Sequence, residues 1–268
     1  MKTLRRGDPA SPELSALHAQ LTRIGFIPIA DPTFGLATEC AVRIFQHDNN
    51  LAKDGIVGPA TWAAIEAAPT NTYTSLAVYD SLHWQVPYFS QRDNEFNPTG
   101  TCNVTSLAMV LSWAGVTPPH GVQLEDELSK ELETKEAQDR FRAWYPDLAR
   151  QGYEPRHVHG MLQWLADKYV GNDRYTESAS WDEIYSWLRE HGPIITSGHF
   201  TAFGHVIVLV GTTTRGDFIC HDPWGNWERG YRRAHNGKFV IYNREQLNDV
   251  LKGQDQDHKR AHFISRKQ

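Results

Sequence analysis

From Leu14 to Phe26 the apolar residues Leu14, Leu17, Leu21 and Ile24 recur at helical spacing, and Gly25 offers a stop. A second helix is predicted over Thr38 to Phe45. The run Gly35-Leu-Ala-Thr-Glu-Cys-Ala-Val42 is echoed 23 residues later by Gly58-Pro-Ala-Thr-Trp-Ala-Ala-Ile65, with the same order of small, capping and apolar classes. Both predict a tight glycine turn feeding a helix started by threonine. The polar stretch from Ala67 to Thr72 then breaks the period and marks a boundary, too short for a freely swinging linker. This predicts a three-helix domain over 1–68, a linker over 69–79 and a larger domain over 80–268.

The larger part mixes periods. Trp84 to Phe89 reads as a strand. Ser180 with Glu183 is a capping box opening an amphipathic helix through Leu188, which Gly192-Pro193 ends, and Ile194-Ile195 starts the sheet. Val206 to Val210 is a wholly apolar, β-branched run predicted as a buried strand, and Asp217 to His221 returns as its partner. The class is α+β.

Composition changes this picture mainly by exclusion. With 268 residues, 40% of them hydrophobic and 11% aromatic, the chain can bury a core and is not a disordered tail. A formal net charge of -5 argues against holding nucleic acid or an anionic membrane by a broad basic field. The segment after Leu251 is locally basic (Lys252, Lys259, Arg260, Arg266, Lys267 against Asp255 and Asp257) and reads as a solvated tail. Three cysteines, Cys40, Cys102 and Cys220, are too few and too scattered for a disulfide framework or a Cys-x-x-Cys metal site, which fits synthesis in a reducing compartment. Residues 1–7 are basic with no apolar run behind them, so no secretory signal is expected, and no stretch approaches a membrane span.

Three residue types then converge. Cys102 precedes Val104, Leu107, Ala108 and Leu111, a helical stripe that puts the thiol on a first turn. The unpaired amides and positive dipole end there favour thiolate, although position alone fits an inert core cysteine equally well. If the two late strands pair as a hairpin centred on 211–216, Val210 faces Asp217 and the same register sets His205 opposite Asp222, close enough for an imidazole–carboxylate hydrogen bond. Gln91, eleven residues before Cys102, supplies an uncharged amide donor for an oxyanion, or is an ordinary loop glutamine. Nucleophile, base and orienter are thereby all present.

Other residues compete. His199 lies six residues before His205 but has no acidic partner in sight. His157 and His159, two apart, would point to different sides of a helix, which disfavours a metal pair. His221 should face away from Asp222. Trp224 and Trp227 read equally as cleft lining or as core.

Two stretches resemble known families. The first, roughly Leu4 to Ala68, resembles the three-helix peptidoglycan-binding domain through Leu4-Arg5-Arg6-Gly7-Asp8, Phe34-Gly35, Thr38-Glu39, Ala41-Val42, Phe45-Gln46 and the run Asp54 to Trp62. It departs at 27–32, where a glycine-rich, acidic turn is replaced. From about Trp84 onward the chain resembles the papain-like peptidases of the C39-like group: Val86 to Gln91, then Thr101-Cys102-x-x-Thr105-Ser106-Leu107-Ala108-Met109-Val110-Leu111, Gly204-His205 before a strand, and His221-Asp222-Pro223. Asn103-Val104 stands where many members carry Gly-Pro.

The second resemblance implies Cys102 as nucleophile, His205 as general base, Asp222 as its orienter and Gln91 as oxyanion donor, with no cofactor and no metal. Together the two are similar to a bacteriophage endolysin. That would be made in the bacterial cytoplasm, meet bacterial peptidoglycan with the help of a separate membrane-hole-forming protein, and cut an amide bond at the wall without inserting into the membrane. A protease acting on a protein or leader peptide, and an inactive wall-binding protein, are the alternatives.

Overall fold

Residues 2–26, 32–73, 83–119, 121–213, 216–233, 236–251, 253–255 and 257–266 are described by a computed structural model. It divides into two units, Met1–Leu82 and a larger one formed by His83–Thr212 and Asp217–Gln268. Most of the expected 69–79 linker, and residues 27–31 of the departure at 27–32, lie outside the described residues.

The N-terminal unit carries three helices, α1 (Pro12–Arg23), α2 (Leu36–Asp48) and α3 (Pro59–Ala67). Ser11 caps α1, its hydroxyl accepting from the Leu14 amide at 3.2 Å, with Pro12 at the first helical position. Leu14, Leu17, Leu21 and Ile24 are all buried. Gly25 ends the helix at φ +107°, and a Cβ there would sit 2.3 Å from the Tyr73 carbonyl oxygen, so both the backbone angle and the close approach require glycine.

The internal echo is real in backbone terms: Gly35 (φ -86°, ψ -168°) and Gly58 (φ -86°, ψ -176°) are equivalent extended N-caps. The threonines, however, do not start the helices. Each helix begins two residues earlier, and Thr38 and Thr61 lie buried within the first turn. Thr61 joins a polar staple around Gln46. The Gln46 amide donates to Asp54 Oδ1 (2.9 Å), the Ile56 carbonyl (2.9 Å) and Thr61 Oγ1 (3.2 Å), and its oxygen accepts from the Gly55 amide (2.9 Å). Buried polar atoms satisfied in this way fix the turn before α3. Leu4 and Val57 close the unit as a two-residue antiparallel bridge.

The larger unit contains α4 (Cys102–Trp113), α5 (Leu124–Glu133), α6 (Lys135–Trp144), α7 (Pro146–Arg150), α8 (His159–Tyr169), β1 (Arg174–Ser180), α9 (Trp181–Glu190), β2 (Ile194–Gly198), β3 (His205–Thr212), β4 (Phe218–His221), β5 (Val240–Tyr242), α10 (Arg244–Val250) and β6 (His258–Phe263). The strands form one antiparallel sheet in the order β1-β6-β2-β3-β4-β5. Ser180 caps α9 as expected, accepting from the Glu183 amide at 3.2 Å. Ile184 and Leu188 of α9 pack with Ile207, Leu209, Phe218, Cys220, Tyr242 and Phe263 from the sheet.

Three expectations are corrected here. Helix α4 is not amphipathic with one buried stripe: every residue from Asn103 to Leu111 is buried, so the helix is enclosed by its neighbours on all sides. Trp84 to Phe89 is not a strand. Only His83 bridges to Gly211, the Trp84 amide reaches the Val210 carbonyl at 2.7 Å, and Pro87 has no N–H to continue the ladder. The basic segment is not a solvated tail, because residues 258–263 are a strand paired on both sides, by β1 and β2. Lys259 is fully buried, with its ammonium donating to the Asn248 carbonyl at 3.3 Å, and Arg266 donates to the Trp113 carbonyl at 2.7 Å while lying over that indole. Lys252 and Lys267 lie outside the described residues.

Candidate active site

Cys102 is the first residue of α4, so its amide belongs to the group that lacks an intrahelical partner. The preceding Thr101 contributes no side-chain cap to the helix. Its hydroxyl instead donates to the Asn97 carbonyl (3.1 Å) and accepts from Asn94 (2.9 Å), which also donates to Thr105 (2.9 Å). Asn103 accepts from the Val104 amide at 2.8 Å and donates to the Arg156 carbonyl. The first turn of α4 is thus pinned from both sides, and Cys102 as a residue is half-buried.

His205 opens β3, with its side chain buried and its Nε2 2.7 Å from Asp222 Oδ1. That leaves Nδ1 as the ring atom available to the Cys102 thiol, with which the ring is electrostatically coupled. The register differs from the one expected. Val208 pairs with His221 and Leu209 with Cys220, and a bulge at Val210 shifts the ladder before Gly211 pairs with Ile219. Continued past His221, this pairing sets Asp222 beside Ile207, so the histidine and aspartate meet diagonally rather than face to face. The offset is two residues, an even number that keeps both side chains on one face, and a diagonal neighbour is within reach of an imidazole.

Asp222 is fully buried and well supplied with donors. Besides His205, its Oδ1 accepts from the Trp224 amide (3.0 Å), and its Oδ2 accepts from the hydroxyls of Tyr242 (2.7 Å) and Tyr231 (3.4 Å). Burial of both tyrosines beside this carboxylate raises their pKa values, so they stay protonated as donors. The Asp222 backbone is fixed too: its amide donates to the Gly237 carbonyl at 3.0 Å, and a Cβ at Gly237 would lie 1.9 Å from the Asp222 oxygen. Neither Tyr231, Tyr242 nor Gly237 was singled out from the sequence, because they lie on other segments with no spacing signal toward Asp222.

The electrostatics follow from this packing. Burial pushes the Cys102 thiol up, but the charge and hydrogen bond of His205 and a further bond from the Val206 amide outweigh it, even against the opposing Asp222, and the thiol ends below its ordinary pKa. Burial pulls His205 down, while the Asp222 carboxylate and the Cys102 sulfur push it up more strongly, to about 10. The arrangement favours a thiolate–imidazolium pair, whose two titrations are coupled.

Gln91 is buried in a short 3-10 turn, Gln91–Asp93. Its amide N–H bonds the Pro223 carbonyl and its side chain donates to the Pro98 carbonyl, both at 3.0 Å. It thereby ties the residue after Asp222 to the loop four residues before Cys102, and its side-chain oxygen has no hydrogen-bond partner among the described residues. His199 is exposed, and the Asp222 bond goes to His205. His157 turns back to accept from the Glu154 amide at 3.1 Å, away from His159. His221 is enclosed edge-on between Tyr88 and Phe239. Trp227 packs on Phe200 and Tyr242, and Trp224 is half-buried beneath the Arg92 guanidinium.

A match to the Peptidase_C39 like family covers residues 83–248 and encloses this whole constellation. The chain belongs to that family. A second match, to the "putative peptidoglycan binding domain", covers residues 10–65. Among solved structures the chain is similar to a "putative C39-like peptidase" from Bacillus anthracis, at 17% identity and TM-score 0.48, covering 70% of this chain and 99% of that one. It is also similar to a fused Zn-dependent amidase/peptidase/peptidoglycan-binding protein from Clostridium acetobutylicum (25% identity, TM-score 0.25, 44% and 46% covered). A chain from work on the mite allergens Blo t 1 and Der p 1 aligns at 13% identity and TM-score 0.38, over 95% and 94%. No curated protein matches.

Within this C39-like domain a groove of about 440 Å³ is lined by Phe96, Asn97, Thr101, Lys130, Glu133 and Arg156, and Cys102, His205 and Asp222 are not part of its wall. Among the described residues no helix is long and apolar enough to cross a membrane.

Proposed function

We propose that this protein is a peptidoglycan hydrolase that cleaves an amide bond of the stem peptide or cross-bridge through a Cys102 thioester, with residues 80–268 catalytic and 1–68 holding the wall. The observation that carries this reading is the His205–Asp222 hydrogen bond beside the electrostatically coupled Cys102 thiol, in a chain that also matches a peptidoglycan-binding domain. Cys102 thiolate attacks the carbonyl carbon. The oxyanion is received by the Cys102 amide and the Gln91 side chain, and the His205 imidazolium donates its proton to the leaving amine. Water, deprotonated by the now neutral His205, then opens the thioester and restores the thiol. Asp222 holds the ring in the tautomer that presents Nδ1 to sulfur. The biology that fits is that of an endolysin, reaching the wall from the cytoplasm through membrane holes made by another protein.

The test is turbidity loss of permeabilised bacteria or isolated sacculi. Clearing should survive EDTA and be blocked by thiol alkylation. It should vanish in the full-length Cys102→Ala chain, which should still sediment with sacculi. Clearing by that variant would remove the nucleophile assignment, and failure to sediment would remove the wall-binding one. Mass spectrometry of the released fragments identifies the bond.

A further inference from the structure

A second line of proton-transferring groups runs through the larger unit and is not used by the mechanism above. Ser197 Oγ on β2 is 2.9 Å from His159 Nε2, the first residue of α8. His159 Nδ1 is 2.9 Å from His262 Nε2 on β6, and His262 Nδ1 is 2.7 Å from Asp173 Oδ2, just before β1. Strand pairing explains the convergence. His262 sits between Tyr175 on one side and Ile195 on the other, and Ser197 is two residues beyond Ile195, hence on the same face as His262. Tyr175 lies flat on the His159 ring (5.0 Å between centroids, 6° between planes) and against that of His262 (4.7 Å, 32°), fixing both rotamers.

With Asp173 ionised and both imidazoles neutral, the chemistry allows one polarity. The carboxylate accepts from Nδ1–H of His262, whose Nε2 must then accept from Nδ1–H of His159, whose Nε2 in turn accepts from the Ser197 hydroxyl. Burial, followed by the nearby His262 and Arg260, keeps His159 well below its ordinary pKa, so it stands as free base. Ser197 is buried and pairs across the ladder with Val206, the residue after His205, which brings the line close to the candidate active site, and His159 is half-buried.

We propose that Ser197, polarised through His159, His262 and Asp173, is a second nucleophile of this protein, reactive toward activated acyl and phosphonyl electrophiles. In the step, Ser197 Oγ bonds to the electrophilic carbon or phosphorus, the leaving group departs with the bond's electron pair, and the hydroxyl proton passes to His159 Nε2. The His159 Nδ1–H bond to His262, and that of His262 to Asp173, stabilise the resulting imidazolium. This inference stands independently of the wall-hydrolase reading.

The experiment uses the full chain carrying Cys102→Ala and an alkyl fluorophosphonate, with modified peptides identified by mass. Forming the Ser197 O–P bond releases fluoride. Ser197 should label roughly a hundredfold faster than the other serines, and His159→Ala should remove most of that advantage. Asp173→Asn should remove a smaller part. His159→Gln serves if the alanine variant fails to fold, and an unchanged rate of Cys102 alkylation in chains that retain Cys102 shows that the domain is intact. Labelling of Ser197 no faster than of other serines, or a rate indifferent to both His159 variants, overturns the proposal.

Discussion

Two histidine–aspartate lines in the same domain shift their outer imidazole in opposite directions, and the difference is one ring. In the first, the Asp222 carboxylate touches the imidazole that faces the sulfur, and His205 is raised to about 10. In the second, Asp173 touches His262, and the ring that faces the hydroxyl, His159, is lowered instead. A carboxylate in direct contact offsets the cost of burying an imidazolium, whereas one ring further away its attraction is weaker and the cost of burial wins. Direct contact favours a ring that keeps its proton. An interposed ring favours one that does not. The supporting shells differ as well, since Asp222 accepts from four donors while one oxygen of Asp173 has no partner among the described residues.

The sharpest way to break this comparison is at the sulfur. Cys102→Ala should lower hydrolysis of a soluble wall fragment by at least about a thousandfold, as loss of a covalent nucleophile does elsewhere. Asp222→Asn should cost roughly a hundredfold to ten-thousandfold in kcat, with KM little changed, because the ring loses its fixed tautomer. A kcat within twofold of the parent would show that direct contact is not what orients His205. Gln91→Ala should cost about a hundredfold in kcat if its amide meets the oxyanion; a change confined to KM would instead make it a structural tie between Pro98 and Pro223.

Two smaller effects sharpen the comparison by pH. The lowered Cys102 thiol should be alkylated by iodoacetamide near neutral pH at least about tenfold faster than Cys220, whose thiol burial pushes well up. That rate should fall as pH drops through the Cys102 titration, since thiolate is lost. The leaving amine needs imidazolium, so kcat should decline on the alkaline side only as His205 deprotonates near pH 10. Asn at 222 should move that limb to lower pH, and histidine NMR titrations would check whether removing the carboxylate at 173 leaves His205 unmoved.

Much of this was legible along the chain. The glycine at 25, the capping serine at 180, the cysteine opening an apolar helix and the histidine opening a β-branched strand are local signals, set by backbone conformation and by the period of side-chain burial within a few residues. Even the His205–Asp222 meeting survived a misjudged register, because a two-residue offset leaves side chains on the same face. What only the tertiary structure decided was everything that depends on partners distant in sequence. Residues 258–263 became a central strand because β1 and β2 satisfy their backbone on both sides, which the charge of Lys259 and Arg260 concealed. His159 and His262, unremarkable in their own segments, became a relay because three strands and a helix terminus place them ring to ring. Periodicity specifies which side of an element is buried; what that side then meets is fixed by strand order, and strand order is a property of the whole sheet.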